Sequence, residues 1–380
     1  MSILPKNFPE NLNSIALTGY YGFGNLGDDL LLLSALNEYH KGYSLDIRII
    51  ANKHPYLEKM LKDFEFKSIP IYNRWDINSI AQAIRYSDGL VFGGGGIFQD
   101  ETSFKSFFYY FFSCFLSKFN KRHLIIDRNS IGPINSKLSK YLFNYIINWA
   151  YSISVRDSIS YEYLINNYPN FVNKFYKRED FVLSPFFDIK DKVYSNEKKQ
   201  RLLFILRPSY IKKDNKIIEH PNIFNLKKLI VSLIKDYKDF EISIIVFMEQ
   251  DLEKLSDIFN YLENNEDFNE NFKEKQDLYN SILLTYKNFN LYYPGYGNII
   301  ATLKYIKESL IIISNRLHGV LLAKVFNIPV LAISNSIKIE GISRDYNIPY
   351  INLNAENLNN QIINFIKETL NKNTSYDNKT

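Results

Sequence analysis

Short apolar runs, many of them β-branched, punctuate the chain, and each ends in a small, polar or charged residue. In the first half they fall at Ser14–Thr18, 47–50, 87–92, 123–127 and 152–157. In the second half they fall at 202–206, 242–248, 290–293, 310–313 and 330–333. Runs without in-and-out alternation read as strands buried on both faces, the pattern of a parallel sheet. Between them lie segments whose apolar residues suit helices, at 30–36, 104–119, 139–150, 298–308 and 320–326. Strand and helix in alternation predict βαβ units and an α/β fold.

The alternation is broken once, at 190–200, where the residues are polar and charged and read as a linker. A chain of 380 residues is also longer than one core usually supports. Two domains are therefore expected, 1–189 and 201–368, followed by a polar tail, 369–380, expected to be disordered. Residues 249–290, acidic early and rich in Asn, Glu and Lys, read as a solvated helical face with no catalytic role.

Candidate chemistry sits at the strand ends. The run 310–313 breaks into Ser314-Asn315-Arg316-Leu317-His318-Gly319 just before a helix. Ligands of open α/β sheets gather there, and helix N-termini favour anions. Arg offers a rigid fork of donors for carboxylate or phosphate, and His is readily set to move a proton near neutral pH. A structural ion pair for Arg316 and a helix-capping role for His318 remain equally open. Strand 202–206 leads into Arg207, which with Arg316 makes a possible two-cation anion site. The pair Arg156-Asp157, at another strand end, reads as a salt bridge.

Two glycine-rich stretches follow strands in the first half. Gly22, Gly24 and Gly27 match the G-x-G-x-x-G spacing and precede a helix whose first turn Asp28 or Asp29 would cap, the opening unit of a Rossmann-like domain. A dinucleotide is not expected there. The second strand ends in Ala51-Asn52-Lys53 rather than the acid that holds a ribose, and the paired aspartates would repel a pyrophosphate. The loop suits approach to a neutral polar ligand such as a sugar, or to the other domain. The strand 87–92 opens into Gly93-Gly94-Gly95-Gly96, expected as a loop, and Asp100 follows as a candidate base.

Composition narrows the partners. A net charge of +5, from 46 basic and 41 acidic residues, is too even to imply nucleic acid. The 16% aromatic content accompanies abundant Asn, Lys and Ile, which points to an AT-rich coding sequence rather than a stacking function. One cysteine, Cys114, precludes an intrachain disulfide, and the five histidines show no metal-ligand spacing. The start has no basic region followed by an apolar core, and no stretch reaches the roughly 18 apolar residues of a membrane span. A cytoplasmic protein is expected. The aromatic stretch 104–119, flanked by Lys105, Lys118, Lys121 and Arg122, reads as a buried helix, with a shallow membrane contact as the alternative.

Gly22-Phe23-Gly24-Asn25-Leu26-Gly27-Asp28, the four glycines with Asp100, Ser130-Ile131-Gly132-Pro133, Ser154-Val155-Arg156-Asp157, Ser314-Asn315-Arg316-Leu317-His318 and Lys338 stand in one order. In that order and over nearly the whole chain, the sequence resembles the polysaccharide pyruvyl transferase family. The resemblance implies two Rossmann-like domains of glycosyltransferase-B-like fold with an interdomain active-site cleft. It also implies transfer of a pyruvyl group from phosphoenolpyruvate to two sugar hydroxyls as a cyclic ketal, with no cofactor. Arg207, Arg316, Leu317 and His318 fall on the phosphoenolpyruvate side, with His318 as general acid and Asp100 as base. Lys338, Gly94, Gly95, Asn25 and Asp28 complete the binding set. Partners so implied are phosphoenolpyruvate and a glycan or lipid-linked sugar; peripheral contact at the inner membrane face is the alternative that the stretch 104–119 adds. Asp29, where the family more often has Glu, and Ser184-Pro185-Phe186 depart from its pattern. A nucleotide-sugar glycosyltransferase and a non-catalytic glycan-assembly subunit are the alternatives of the same architecture.

Overall fold

The computed structural model describes residues 4–100, 104–213, 216–259 and 282–377. The chain divides into two compact units, Met1–Ile189 and Lys190–Thr380.

The first unit is built on a seven-stranded sheet of order β3-β2-β1-β4-β5-β6-β7. The strands are β1 (Ser14–Thr18), β2 (Asp46–Ala51), β3 (Ile71–Asn73), β4 (Gly89–Phe98), β5 (His123–Ile131), β6 (Ser152–Val155) and β7 (Phe175–Lys177). Every neighbouring pair is parallel, which is why the strand sequences are apolar throughout rather than alternating. Helices α1 (Leu26–Leu36), α2 (Pro55–Asp63), α3 (Ile77–Arg85), α4 (Phe104–Phe119), α5 (Lys137–Trp149) and α6 (Ser158–Asn167) connect them.

Four expectations change here. The helix α1 starts at Leu26 with Asn25 at its N-cap, so Asp28 and Asp29 lie in its first turn instead of capping it. The four glycines are not a loop: β4 runs through them to Phe98, with a register shift against β5 between Gly95 and Phe98. Gly94 and Gly95 have φ of +79° and +89°, and a Cβ on Gly93 would lie 2.6 Å from the Tyr21 hydroxyl and 2.7 Å from Leu17. Left-handed backbone and close packing, not a turn, require these glycines. Arg156 pairs with Asp180 at 2.6 Å rather than with Asp157, which instead caps α6. Finally, α4 buries only one face, with Phe107, Tyr110, Cys114 and Ser117 inside, while Phe104, Phe108, Phe115 and Phe119 are exposed.

A buried charge cluster underlies this sheet. Glu38, on the wide helical turn Asn37–Gly42, receives Arg128 at 2.6 Å and Arg178 at 2.8 Å. Arg178 also donates to both oxygens of Asp127, at 2.9 and 2.8 Å, and the Tyr39 hydroxyl adds a bond to Asp127 of 2.6 Å. Burial pushes the Asp127 carboxyl up, but the Arg178 and Arg128 charges outweigh it and hold the group below its ordinary value. Buried charges persist only when paired in this way.

The second unit repeats the layout. Its strands are β8 (Arg201–Ile205), β11 (Glu241–Ile245), β12 (Ile282–Tyr286), β13 (Phe289–Tyr293), β14 (Ile311–Ser314), β15 (Val330–Ser334) and β16 (Tyr350–Asn352), in the order β12-β13-β11-β8-β14-β15-β16. Only β12 is antiparallel to its neighbour. A hairpin, β9 (Tyr210–Lys213) and β10 (Lys216–Glu219), stands apart from the sheet. Helices α7 (Pro221–Asp236), α8 (Glu249–Leu255), α9 (Ile299–Lys307), α10 (Leu317–Val325), α11 (Ile337–Asp345) and α12 (Leu358–Asp377) complete it. Residues 369–377, expected as disordered tail, continue α12, which is anchored one turn at a time by Leu358, Ile362 and Ile366 in the core. The linker residues also pack: Ser195 bonds Glu308 at 2.8 Å, and Lys198 bonds the Lys307 carbonyl at 2.7 Å. Most of the acidic segment 249–290 lies outside the described residues, and its start is α8.

Candidate active site

In the second unit, β8, β14 and β15 lie side by side and parallel, so the segments leaving their carboxyl ends emerge on one edge. Arg207 follows β8, the Arg316–His318 turn follows β14, and Lys338 sits in the first turn of α11 after β15. The turn after β14 is fixed by Ser314, whose hydroxyl accepts from the Arg316 N–H at 3.1 Å and lies 2.9 Å from the Arg316 carbonyl. A Cβ on Gly319 would lie 2.4 Å from that hydroxyl and 2.9 Å from Ile205. Only glycine lets α10 begin this close to the strands.

Asn315 joins the two cationic segments. Its side-chain carbonyl accepts from the Arg207 N–H at 2.6 Å, and its amide donates to the Arg207 carbonyl at 2.8 Å. The Arg207 backbone is thereby clamped while its side chain stays exposed. Arg316 stands at the N-cap of α10, 9% exposed, with its guanidinium 5.6 Å from the Phe247 ring centre. It donates to Asp251, a buried residue in the first turn of α8. The bland expectation of an ion pair for Arg316 is thus met, by an acid from the segment that was given no role. Asp251 follows β11, which neighbours β8 in the sheet; its position after a strand was the only available signal.

His318 is the second residue of α10 and partly buried, and Leu317 packs with Ile348 and Tyr350 on Val320, Ala332 and Ile339. First-turn N–H groups of a helix point away from its own carbonyls and carry the positive end of its dipole. The edge of the sheet therefore combines an exposed guanidinium, an oriented buried one, a helix N-terminus and an imidazole. That set can hold a small polyanion and deliver a proton to it.

The first unit gathers the other candidates at the carboxyl ends of β1 and β4. Asn25 donates through its side chain to Asp28, and a Cβ on Gly95 would lie 4.0 Å from the Asp28 carboxylate. Beside them Asp29 is buried, and burial followed by the Asp28 charge pushes its carboxyl well up despite a bond from Tyr56. Asp100 takes the N–H groups of Asn135 and Ser136, both at 2.8 Å, on its two oxygens. Burial raises its proton affinity, yet these donors outweigh it and hold the carboxyl below its ordinary value. Asp100 thus anchors the approach to α5.

Beyond β1, β2 and β3 lies a group that no sequence pattern announced. Tyr20 stacks on Phe23 at 4.2 Å, and the buried Arg74 guanidinium lies 5.0 Å from Phe23 and 5.4 Å from Trp75. Trp75 is 66% exposed and is held in place by an indole N–H bond to Asn52 of 2.9 Å. A fixed, exposed ring offers an apolar face of the kind that packs against the C–H face of a sugar.

The sequence profile of the polysaccharide pyruvyl transferase family matches residues 25–337. The chain belongs to the polysaccharide pyruvyl transferase family. The matched span runs from Asn25 to Ile337 and takes in Asp28, Gly94, Gly95, Asp100, Arg207, Arg316, Leu317 and His318, ending one residue before Lys338. Among curated proteins no sequence matches. Among solved structures, the S. aureus MnaA–UDP complex has a TM-score of 0.61 at 13% identity, covering 93% of this chain and 88% of that one. The Methanocaldococcus jannaschii UDP-GlcNAc 2-epimerase with UDP-GlcNAc and UDP has a TM-score of 0.58 at 13% identity, covering 94% and 92%. The Neisseria meningitidis UDP-GlcNAc 2-epimerase bound to UDP-GlcNAc has a TM-score of 0.54 at 11% identity, covering 93% and 91%. At such identities the likeness is one of fold, and it makes the chain glycosyltransferase-B-like. Among the described residues no helix is long and apolar enough to cross a membrane.

Proposed function

We propose that this protein transfers the pyruvyl group of phosphoenolpyruvate to two hydroxyls of one sugar, in a cell-surface glycan or its lipid-linked precursor. The product is a cyclic ketal, and phosphate is released. The observation that carries the reading is the Asn315 clamp, which holds Arg207 beside the α10 terminus that bears Arg316 and His318. Phosphoenolpyruvate has two anionic ends, and two guanidinium groups with a helix N-terminus suit them, in either order. Lys338 adds charge to the same edge or ties its loop. Asp251 sets the orientation of Arg316.

In this reading His318 donates a proton to the methylene carbon, which becomes the methyl group while C2 gains cationic character. One sugar oxygen bonds to C2, the C2–O bond to phosphate breaks, and the second oxygen bonds in its place. Of the two hydroxyl protons, one balances the proton given to carbon and the other leaves with phosphate. Asp100 serves the acceptor. Its lowered proton affinity suits it to orient a hydroxyl more than to remove its proton. Asn25, Asp28, Gly94 and Gly95 belong to the same acceptor side, with Trp75 as a stacking face. The proposed place of action is the cytoplasm, at the inner membrane where the acceptor is lipid-linked.

The test is phosphate release from phosphoenolpyruvate across simple and lipid-linked sugar acceptors, with wild type beside His318→Ala and Arg207→Ala. Acceptor-dependent release is expected, falling at least about a hundredfold in His318→Ala. Arg207→Ala is expected to raise the phosphoenolpyruvate KM. Calorimetry that finds no phosphoenolpyruvate binding but binding of a nucleotide sugar would replace this reading with that of a glycosyltransferase.

A further inference from the structure

The outer faces of α4 and α5 form one aromatic surface. Along α4, Phe104, Phe108 and Phe111 follow one another at ring separations of 6.2 and 6.1 Å. Phe111 meets Trp149 of α5 at 5.7 Å, and Trp149 meets Phe115 at 6.3 Å, from which Phe119 is 6.2 Å away. Tyr145 and Tyr141 extend the row along α5, at 5.6 and 5.1 Å. Phe119 is 74% exposed and Tyr141 60%, and Leu138, in the first turn of α5, is 52% exposed. These helices already satisfy the core with their other faces, through Phe107, Tyr110, Phe143 and Ile146. Phe111 and Trp149 lean on that core and join the two helices, while Phe104, Phe108, Phe115, Phe119, Tyr141 and Tyr145 stand exposed beyond it; an exposed apolar patch of this continuity marks an interaction surface.

Charge says what covers it. From Phe104 to Tyr151 the only acidic residue is Asp127, which is buried and bonded to Arg178. The same stretch carries Lys105, Lys118, Lys121, Arg122, Lys137 and Lys140, every one of them exposed or partly so. A second copy seated on this face would oppose like charges. We infer that the α4–α5 face docks on an anionic phospholipid surface, its rings at the headgroup boundary and its lysines on the phosphates. Tyr and Trp have one apolar and one wet end and settle at that depth, and lysine stems cover apolar surface while the ammonium stays in water. The helix α4, 16 residues long, is too short to span and would lie in the plane of the surface. This inference stands on the surface alone and holds whether or not the acceptor is lipid-linked.

The test is co-sedimentation of the whole protein with vesicles of phosphatidylcholine alone or mixed with phosphatidylglycerol. Binding to the anionic vesicles is expected, with weakening as salt is raised. Phe108→Asp/Phe119→Asp and Lys118→Glu/Lys140→Glu are each expected to lower vesicle affinity at least about tenfold. Their circular dichroism should match wild type. In a Trp75→Phe protein the remaining Trp149 should shift its emission to the blue with anionic vesicles. Equal or absent binding to both vesicle types would overturn the inference. So would a solution dimer that the Phe108→Asp/Phe119→Asp variant dissociates, since the face would then be covered by a second copy.

Discussion

Asn315 is the residue on which the proposed donor site turns, although a sequence reading passes it over in favour of its charged neighbours. Its two bonds, at 2.6 and 2.8 Å, set where the Arg207 side chain can reach. Asn315→Ala removes both and should raise the phosphoenolpyruvate KM roughly tenfold, as expected for bonds worth about 1–2 kcal/mol, with kcat reduced much less. Steady-state kinetics at varied phosphoenolpyruvate decide it; an unchanged KM would mean that Arg207 does not touch the donor. The motif was legible as a candidate because it follows a buried strand, where ligands of open α/β sheets gather, although an ion pair and a helix cap suited the same residues equally. Asp251 was not, because an acid in a polar stretch looks solvated until a sheet places it beside Arg316.

The elements themselves are held by charges as well as by apolar burial. Across β8 and β11, Arg201 is 2% exposed and bonds both oxygens of Glu241, at 2.8 and 3.1 Å, while its guanidinium stacks 3.5 Å over Tyr305. Burial raises the Glu241 carboxyl, but Arg201 and Tyr305 outweigh it and take it from 4.5 to about 2. A carboxyl depressed on folding stabilises fully above its unfolded value and loses that contribution as pH falls through the folded one. Acid unfolding of the second unit should therefore carry a component between pH 4.5 and about 2 that Glu241→Gln abolishes. That variant should also be less stable at pH 7 by about 3 kcal/mol, the low end for a broken buried pair because Glu241 is partly exposed. Chemical denaturation at both pH values checks this. Strands were the most legible elements, since continuous β-branched runs have no comfortable home but a covered sheet. The glycine run misled because the side chains that crowd Gly93 and Gly94, from Leu17, Tyr21, Leu31 and Phe181, are remote in sequence.

At the scale of the molecule, two units of the same design carry different equipment. The second concentrates cations at one sheet edge, and the first offers glycines, carboxylates and an exposed indole. If that indole receives the acceptor, Trp75→Ala should raise the acceptor KM about tenfold, the loss of one stacking face, and leave the phosphoenolpyruvate KM unchanged. A parallel rise in both would place Trp75 in folding instead. The sequence by itself determined the α/β class, the alternation of the central buried strands with helices, and the strings that announce the family. These are local or periodic properties, and burial on both faces writes them directly into adjacent residues. The short edge strands β3, β7 and β16 and helices such as α2 and α3 were not read from the sequence. Tertiary structure alone decided that Arg316 answers to Asp251, 65 residues away, that Asp100 anchors α5, and that aromatic residues of two helices merge into one exposed face. Such pairings depend on which strands lie side by side, and strand order in a parallel sheet is fixed by long-range packing that no local pattern encodes.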